Sequence, residues 1–109
     1  MARVFKREAA RRDLVAQWVW YSENGSVEVA DRFLLAVDQT LSVLASQPES
    51  GSVVLLRSPE LRGLRRAPVS DGFEKILLFY FPLQGGVDLV RVVHGSRDLE
   101  RLLTQGLSG

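Results

Sequence analysis

An apolar stripe made of Ala30, Phe33, Leu34, Val37, Leu41, Leu44 and Ala45 recurs at three- and four-residue intervals and stops short of Pro48. That spacing puts every member on one helical face, so the stretch is an amphipathic helix with a single side to bury. Asp31, Arg32, Gln39 and Ser42 fall off the stripe and take the wet side. Pro48 has no amide hydrogen and disfavours helix in the residue before it, which ends the helix near Ser46. A helix of this kind demands a second layer, and the rest of the chain has to supply it.

Upstream, from about Glu8 to Ser22, the residues Ala10, Leu14, Trp18 and Tyr21 share another helical face. Val15 and Val19 lie well round from it, which predicts cover on more than one side. Trp18 and Trp20 differ by two helical positions, so at least one indole sits off the main stripe, as a contact surface or partly buried near the N-terminal strand. Glu23-Asn24-Gly25-Ser26 breaks the helix, and Ser26 is placed to cap the next one. Two helices joined by about four residues pack antiparallel as a hairpin. Phe33, Leu34, Val37 and Leu41 are expected at the centre of its contact with the other layer. Ala2 to Lys6 reads as a short leading strand.

Past Pro48 the period changes. Val53 to Arg57 is a short extended segment, and Leu64 to Val69 a strand in which Pro68 is tolerable only at an edge or near the end. Ser70-Asp71-Gly72 signals a hairpin. Phe73 to Phe81 is a strand too apolar to have an ordinary wet face. Pro82-Leu83-Gln84-Gly85-Gly86 turns the chain, and Val87 to His94 returns it. The expected class is therefore α+β: an N-terminal strand, an antiparallel helix hairpin, then a three-stranded antiparallel meander packed on the hairpin. Leu99, Leu102 and Leu103 add a short C-terminal helix after Asp98.

The chain has 109 residues and no cysteine. It reads as one domain, residues 1–109, and disulfides and thiolate metal sites are excluded. The first eight residues lack the apolar stretch of a secretory signal, and the run Ile76 to Phe81 is too short to span a bilayer. A cytoplasmic location without membrane contact is the expectation.

Functional signals are few. A Gly-rich phosphate loop, a nucleophile elbow and a cysteine nucleophile are all missing. The lone histidine, His94, ends the last strand and stands before Gly95-Ser96-Arg97-Asp98. An imidazole there is either a general acid or base or a structural hydrogen-bonder. It has no second histidine and no nearby carboxylate pair to make a metal site. Strict strand alternation puts Asp88, Val90, Val92 and His94 on one face and Val87, Leu89, Arg91 and Val93 on the other. Arg91 and His94 then converge only if a bulge intervenes.

Of the 14 basic residues, only Lys6 and Lys75 are lysine. Arginine's planar fork suits carboxylates and phosphates, although codon bias gives the same composition. Arg57, Arg62, Arg65 and Arg66 cluster at the start of the meander, where they can receive an acidic peptide, bind nucleic acid or solvate an edge strand. Tyr80 and Phe81 either stack on a partner or belong to the core.

Taken together, the residues resemble the RelE/ParE superfamily of toxins from bacterial type II toxin–antitoxin (plasmid stabilization) systems, and more closely its ParE branch. The resemblance rests on Ala10, Asp13-Leu14, Tyr21, Ala30, Phe33, Leu41 and Leu44 in the helices. It continues through Pro48, Gly51, Glu60-Leu61-Arg62-Gly63-Leu64-Arg65 and Phe79-Tyr80 to its most specific stretch, Arg91-Val92-Val93-His94-Gly95-Ser96-Arg97-Asp98. It implies a growth-inhibiting toxin neutralised by a cognate ParD-like antitoxin, with no cofactor and no direct sequence-specific DNA binding. ParE-like toxins are associated with poisoning DNA gyrase, and RelE-like toxins cleave mRNA on the ribosome. For a ribonuclease the matching positions are Arg65, Lys75 and His94, but Gly95 follows His94 where an aromatic is often found, and the tail from Leu99 offers no tyrosine. The incomplete set favours the non-enzymatic gyrase poison. A degenerate antitoxin-binding corepressor is the third alternative. Expected contacts to antitoxin or target are Trp18, Arg57, Arg62, Arg65, Arg66, Tyr80 and Arg97.

Overall fold

The computed structural model describes residues 2–95 and 103–104. A strand β1, Arg3–Lys6, leads into helices α1, Glu8–Asn24, and α2, Val27–Ser46. Strands β2, Ser52–Val53, β3, Arg65–Pro68, β4, Ile76–Leu83, and β5, Gly86–His94, follow. They form one sheet in the order β1-β5-β4-β3-β2. The expected α+β layering is present, and the meander β3-β4-β5 is antiparallel throughout. Two additions enlarge it. β1 pairs with β5 in parallel, and β2 joins the far edge, so the sheet is mixed and has five strands.

Helix boundaries follow local chemistry. The Ser26 hydroxyl accepts the Val29 amide at 3.2 Å, capping α2, so the hairpin linker is Gly25-Ser26 and not about four residues. Along α2 the buried residues are Ala30, Phe33, Ala36, Val37, Leu41, Leu44 and Ala45. Leu34, expected at the centre, is 36% exposed, and Ala36 is buried in its place. The stripe is therefore rotated toward Ala36, a smaller side chain that lets α2 approach the sheet closely. On α1 only Ala10 and Leu14 are buried. Val15, Val19 and Trp20 are exposed, so α1 is covered on one side, against the expectation of more. Tyr21, Phe33 and Phe73 close a ring cluster with centroids 5.2–5.5 Å apart. Each large side chain buried here contributes about 1.5–3 kcal/mol before entropy is subtracted.

The turn between β3 and β4 takes positive φ at both Asp71 and Gly72, as the Asp-Gly signal predicts. β4 begins at Ile76, later than Phe73, because Phe73 is spent on closing that turn through the Ser70 carbonyl. The strand has no wet face. Ile76, Leu78 and Tyr80 belong to the core under the helices, while Phe79 joins a second cluster with Leu61, Leu64, Val90, Val93 and Leu103. The segment between β2 and β3 thus covers the sheet's other side. Leu103 and Thr104 are helical; the rest of the expected C-terminal helix lies outside the described residues. No helix among the described residues is long and apolar enough to cross a membrane.

Candidate functional site

Strict alternation fails in β5. Phe79 pairs with Arg91 and Tyr80 pairs with Leu89, so Val90 is an extra residue and the strand carries a bulge. Val87, Leu89 and Val92 consequently face the helices, while Val90 and Val93 face the second cluster. The extra residue precedes Arg91, and from Arg91 to His94 the pairing is regular, Arg91 with Phe79 and His94 with Ile76, so the bulge does not bring Arg91 and His94 together. Arg91 sends its fork to Asp13 of α1, with Nε and Nη2 at 2.7 and 2.9 Å from the carboxylate. Asp13 also accepts the Val92 amide at 2.9 Å. β1 ends at Lys6, opposite Leu89, so beyond that point the edge of β5 has no neighbouring strand. The Asp13 carboxylate takes the place of one. Its hydrogen bond holds the Arg91 guanidinium proton above the ordinary arginine range, with burial opposing.

Beside this joint is a surface cleft of about 420 Å³ lined by Asp13, Ala16, Gln17, Trp20, Val92 and His94. Asp13, Ala16, Gln17 and Trp20 stand at helical spacing i, i+3, i+4 and i+7, a signal present in the sequence but one step round from the buried stripe. Trp20 is the exposed indole, 52% accessible. Trp18 is half-buried and donates from Nε1 to Asp31 at 3.1 Å, tying α1 to α2. Its role is therefore a brace within the hairpin.

The ribonuclease candidates do not assemble. His94 pairs with Ile76, and the Gly95 amide donates to the Lys75 carbonyl, so His94 and Lys75 share one end of the sheet. Arg65 pairs with Tyr80, and the four residues from Ile76 to Tyr80 place it about 13 Å further along. Arg65 Nη1 donates to the carbonyls of Glu49 and Gly51 at 2.9 and 2.7 Å. Tyr80 is fully buried; its hydroxyl donates to the Pro48 carbonyl at 2.8 Å and accepts the Gly51 amide at 2.9 Å. Burial raises the Tyr80 hydroxyl above its usual range, partly offset by the Gly51 amide and the nearby Arg65 charge. Both residues clamp the turn that follows α2; Tyr80 is fully buried and Arg65 is half-buried. A side chain on Gly51 would collide with the Tyr80 hydroxyl, so the turn requires glycine there.

Arg66, Arg62 and Arg57 are exposed. Arg66 pairs with Phe79 and so stands on the face away from the helices, Arg62 follows the short turn Pro59–Leu61, and Arg57 lies in the loop before it. Arg97 lies outside the described residues. Among those residues no group of three or more His, Asp or Glu side chains is placed to hold a metal ion.

The sequence model of the family described as the ParE toxin of the type II toxin–antitoxin system parDE matches residues 4–99. No curated protein matches the chain. Among solved structures, the chromosomal ParDE TA system from P. aeruginosa superposes with a TM-score of 0.68 at 14% identity, covering 88% of this chain and 98% of that one. At that identity the likeness speaks to the fold.

Proposed function

Since this chain belongs to the ParE toxin family of type II toxin–antitoxin systems, we propose that it arrests growth by trapping DNA gyrase on DNA, without cutting RNA, and is silenced by a ParD-like antitoxin. The observation that supports this over RNA cleavage is the fate of Arg65. RNA cleavage through the 2′-hydroxyl needs a base, an acid and a cation converging on one phosphate. Here the Arg65 guanidinium is bound to two backbone carbonyls, and its strand position lies about 13 Å along the sheet from that of His94.

A binding protein needs no such convergence. It needs exposed side chains of one character on a rigid frame, and Arg57, Arg62 and Arg66 provide cationic ones along the β3 side of the molecule. Their guanidinium forks match acidic side chains of a second polypeptide.

Purified gyrase, plasmid DNA and this chain form the deciding assay. Double-strand breaks should accumulate in proportion to added toxin, and addition of the antitoxin should abolish them. Growth arrest with intact gyrase products but cleaved messages, mapped by primer extension on translated mRNA, would transfer the chain to the endonuclease reading. No arrest at all on expression without antitoxin would leave the corepressor.

A further inference from the structure

We propose that the cleft between α1 and the end of β5 takes an unpaired base of a DNA strand, an inference whose choice of DNA rests on the gyrase reading above. The cleft is lined by Asp13, Ala16, Gln17, Trp20, Val92 and His94, and its volume of about 420 Å³ falls within the ~300–1,000 Å³ range of small-ligand sites. The Trp20 indole is 52% exposed and yet held in place. Its ring meets Tyr21 edge-on, with 5.3 Å between centroids, and Tyr21 belongs to the cluster with Phe33 and Phe73. An aromatic ring braced on one side and open on another is a preorganised stacking surface, since it loses little freedom when a ligand arrives.

The polar groups around the indole narrow the ligand. Trp20 Nε1, the Gln17 side-chain amide and the His94 ring have no hydrogen-bond partner among the described residues, whereas Trp18 Nε1 is bound to Asp31. Gln17 is half-buried in the lining and offers a donor and an acceptor side by side. The one carboxylate, Asp13, is taken up by the Arg91 fork and the Val92 amide. The lining therefore holds no unpaired carboxylate and no uncommitted guanidinium or ammonium. A small anion finds no fixed cation there, and a wholly apolar ligand would cover three polar groups without satisfying them, at a cost in free energy. A planar, uncharged ring edged with donors and acceptors meets both conditions. A nucleobase is such a ring: its face stacks on an indole and its edge pairs with a glutamine amide. A Phe, Tyr or Trp side chain of a polypeptide offers the face with at most one polar atom, too few for the Gln17 pair. Stacking inside a duplex hides the face, so the base has to be unpaired, as at the frayed end of a broken strand. Lys75 is exposed at the same end of the sheet, its carbonyl accepting the Gly95 amide at 3.3 Å, and is placed for an adjoining phosphate.

The test is NMR titration of the isotopically labelled chain with an oligothymidylate of about ten nucleotides, its duplex with oligodeoxyadenylate, and the matching oligouridylate. Gyrase cleavage of plasmid DNA is measured alongside. The Trp20 indole, Gln17 amide and His94 ring resonances should move with the DNA single strand, while the Trp18 indole, tied to Asp31, stays in place. The duplex should bind at least about tenfold more weakly. Trp20→Ala should weaken the single strand by about tenfold or more, and Trp20→Phe should recover part of the loss, because a ring is restored. If Trp20→Ala lowers the thermal midpoint, the resonance pattern of the native chain decides alone. Oligouridylate should bind comparably or more weakly, since stacking does not sense the sugar; tighter binding gives the cleft to RNA and overturns the choice of DNA. Gyrase-dependent breaks with no movement of the three resonances by any strand overturn the base site and leave the gyrase reading standing. Movement with the DNA strand but no breaks overturns the gyrase reading and keeps the base site. Resonances that move only on adding the antitoxin give the cleft to a polypeptide and overturn the proposal.

Discussion

Arg65 and Arg66 are adjacent in sequence and opposite in role. Strand alternation sends Arg65, across from Tyr80, to the helix side, and Arg66, across from Phe79, to the other. Arg65 then finds two carbonyls left by the turn after α2. A cluster of like residues read along a strand is split this way whenever the strand is covered on both faces. Replacing both by Glu would mix two effects, so the variants are best made singly. Arg65→Glu should lower the unfolding free energy by about 1–3 kcal/mol, because two charge-assisted bonds vanish and a carboxylate meets two carbonyl oxygens. Arg66→Glu should leave stability within about 0.5 kcal/mol and still weaken antitoxin binding. Urea unfolding reads the first effect and titration calorimetry the second. Equal stability for both variants would show that the Arg65 clamp contributes nothing.

Elements announced themselves where a backbone rule was involved. Ser26 caps α2, Pro48 stops it, Asp71-Gly72 turns the hairpin, and Pro68 falls on the last residue of β3. What stayed hidden was phase. In β5 apolar residues fill both parities, Val87, Leu89 and Val93 on one and Val90 and Val92 on the other, so alternation alone did not place an extra residue at Val90. The same holds for α2, where Leu34 and Ala36 are both apolar and only the approach of α1 and the sheet decides which is covered. The bulge has a structural consequence at Asp13, the joint between α1 and the free part of β5. Asp13→Ala leaves the Val92 amide and the Arg91 fork without their acceptor, in a place where both side chains of the pair are mostly buried. The expected loss is about 2–3 kcal/mol, read by thermal unfolding. Asp13→Asn should recover part of it, since an amide oxygen still accepts one bond. A wild-type exchange rate at Val92 in Asp13→Ala would mean that the edge is protected by something else.

At the scale of the whole molecule the sheet is a partition with apolar contents on both sides. The helices bury one face; the segment from Val54 to Leu64 and the side chain of Leu103 bury the other. The unbroken apolar run of β4 signalled this directly, because a strand with one wet face alternates. Sequence pattern did not show which residues would cover the second face, since that depends on where a long irregular segment and the tail return. Leu103 is fully buried in one cluster with Phe79, Val90 and Val93. Leu103→Ala should therefore cost about 2–5 kcal/mol, the range for emptying a buried leucine site, with both helices still formed by circular dichroism. Ending the chain after Gly95 removes the same cover completely. The truncated chain should lose cooperative unfolding and self-associate on size-exclusion chromatography, as its second face opens an apolar patch to water. A truncated monomer with the native midpoint would mean that the Val54 to Leu64 segment seals that face unaided, and Leu103→Ala should then be nearly silent as well.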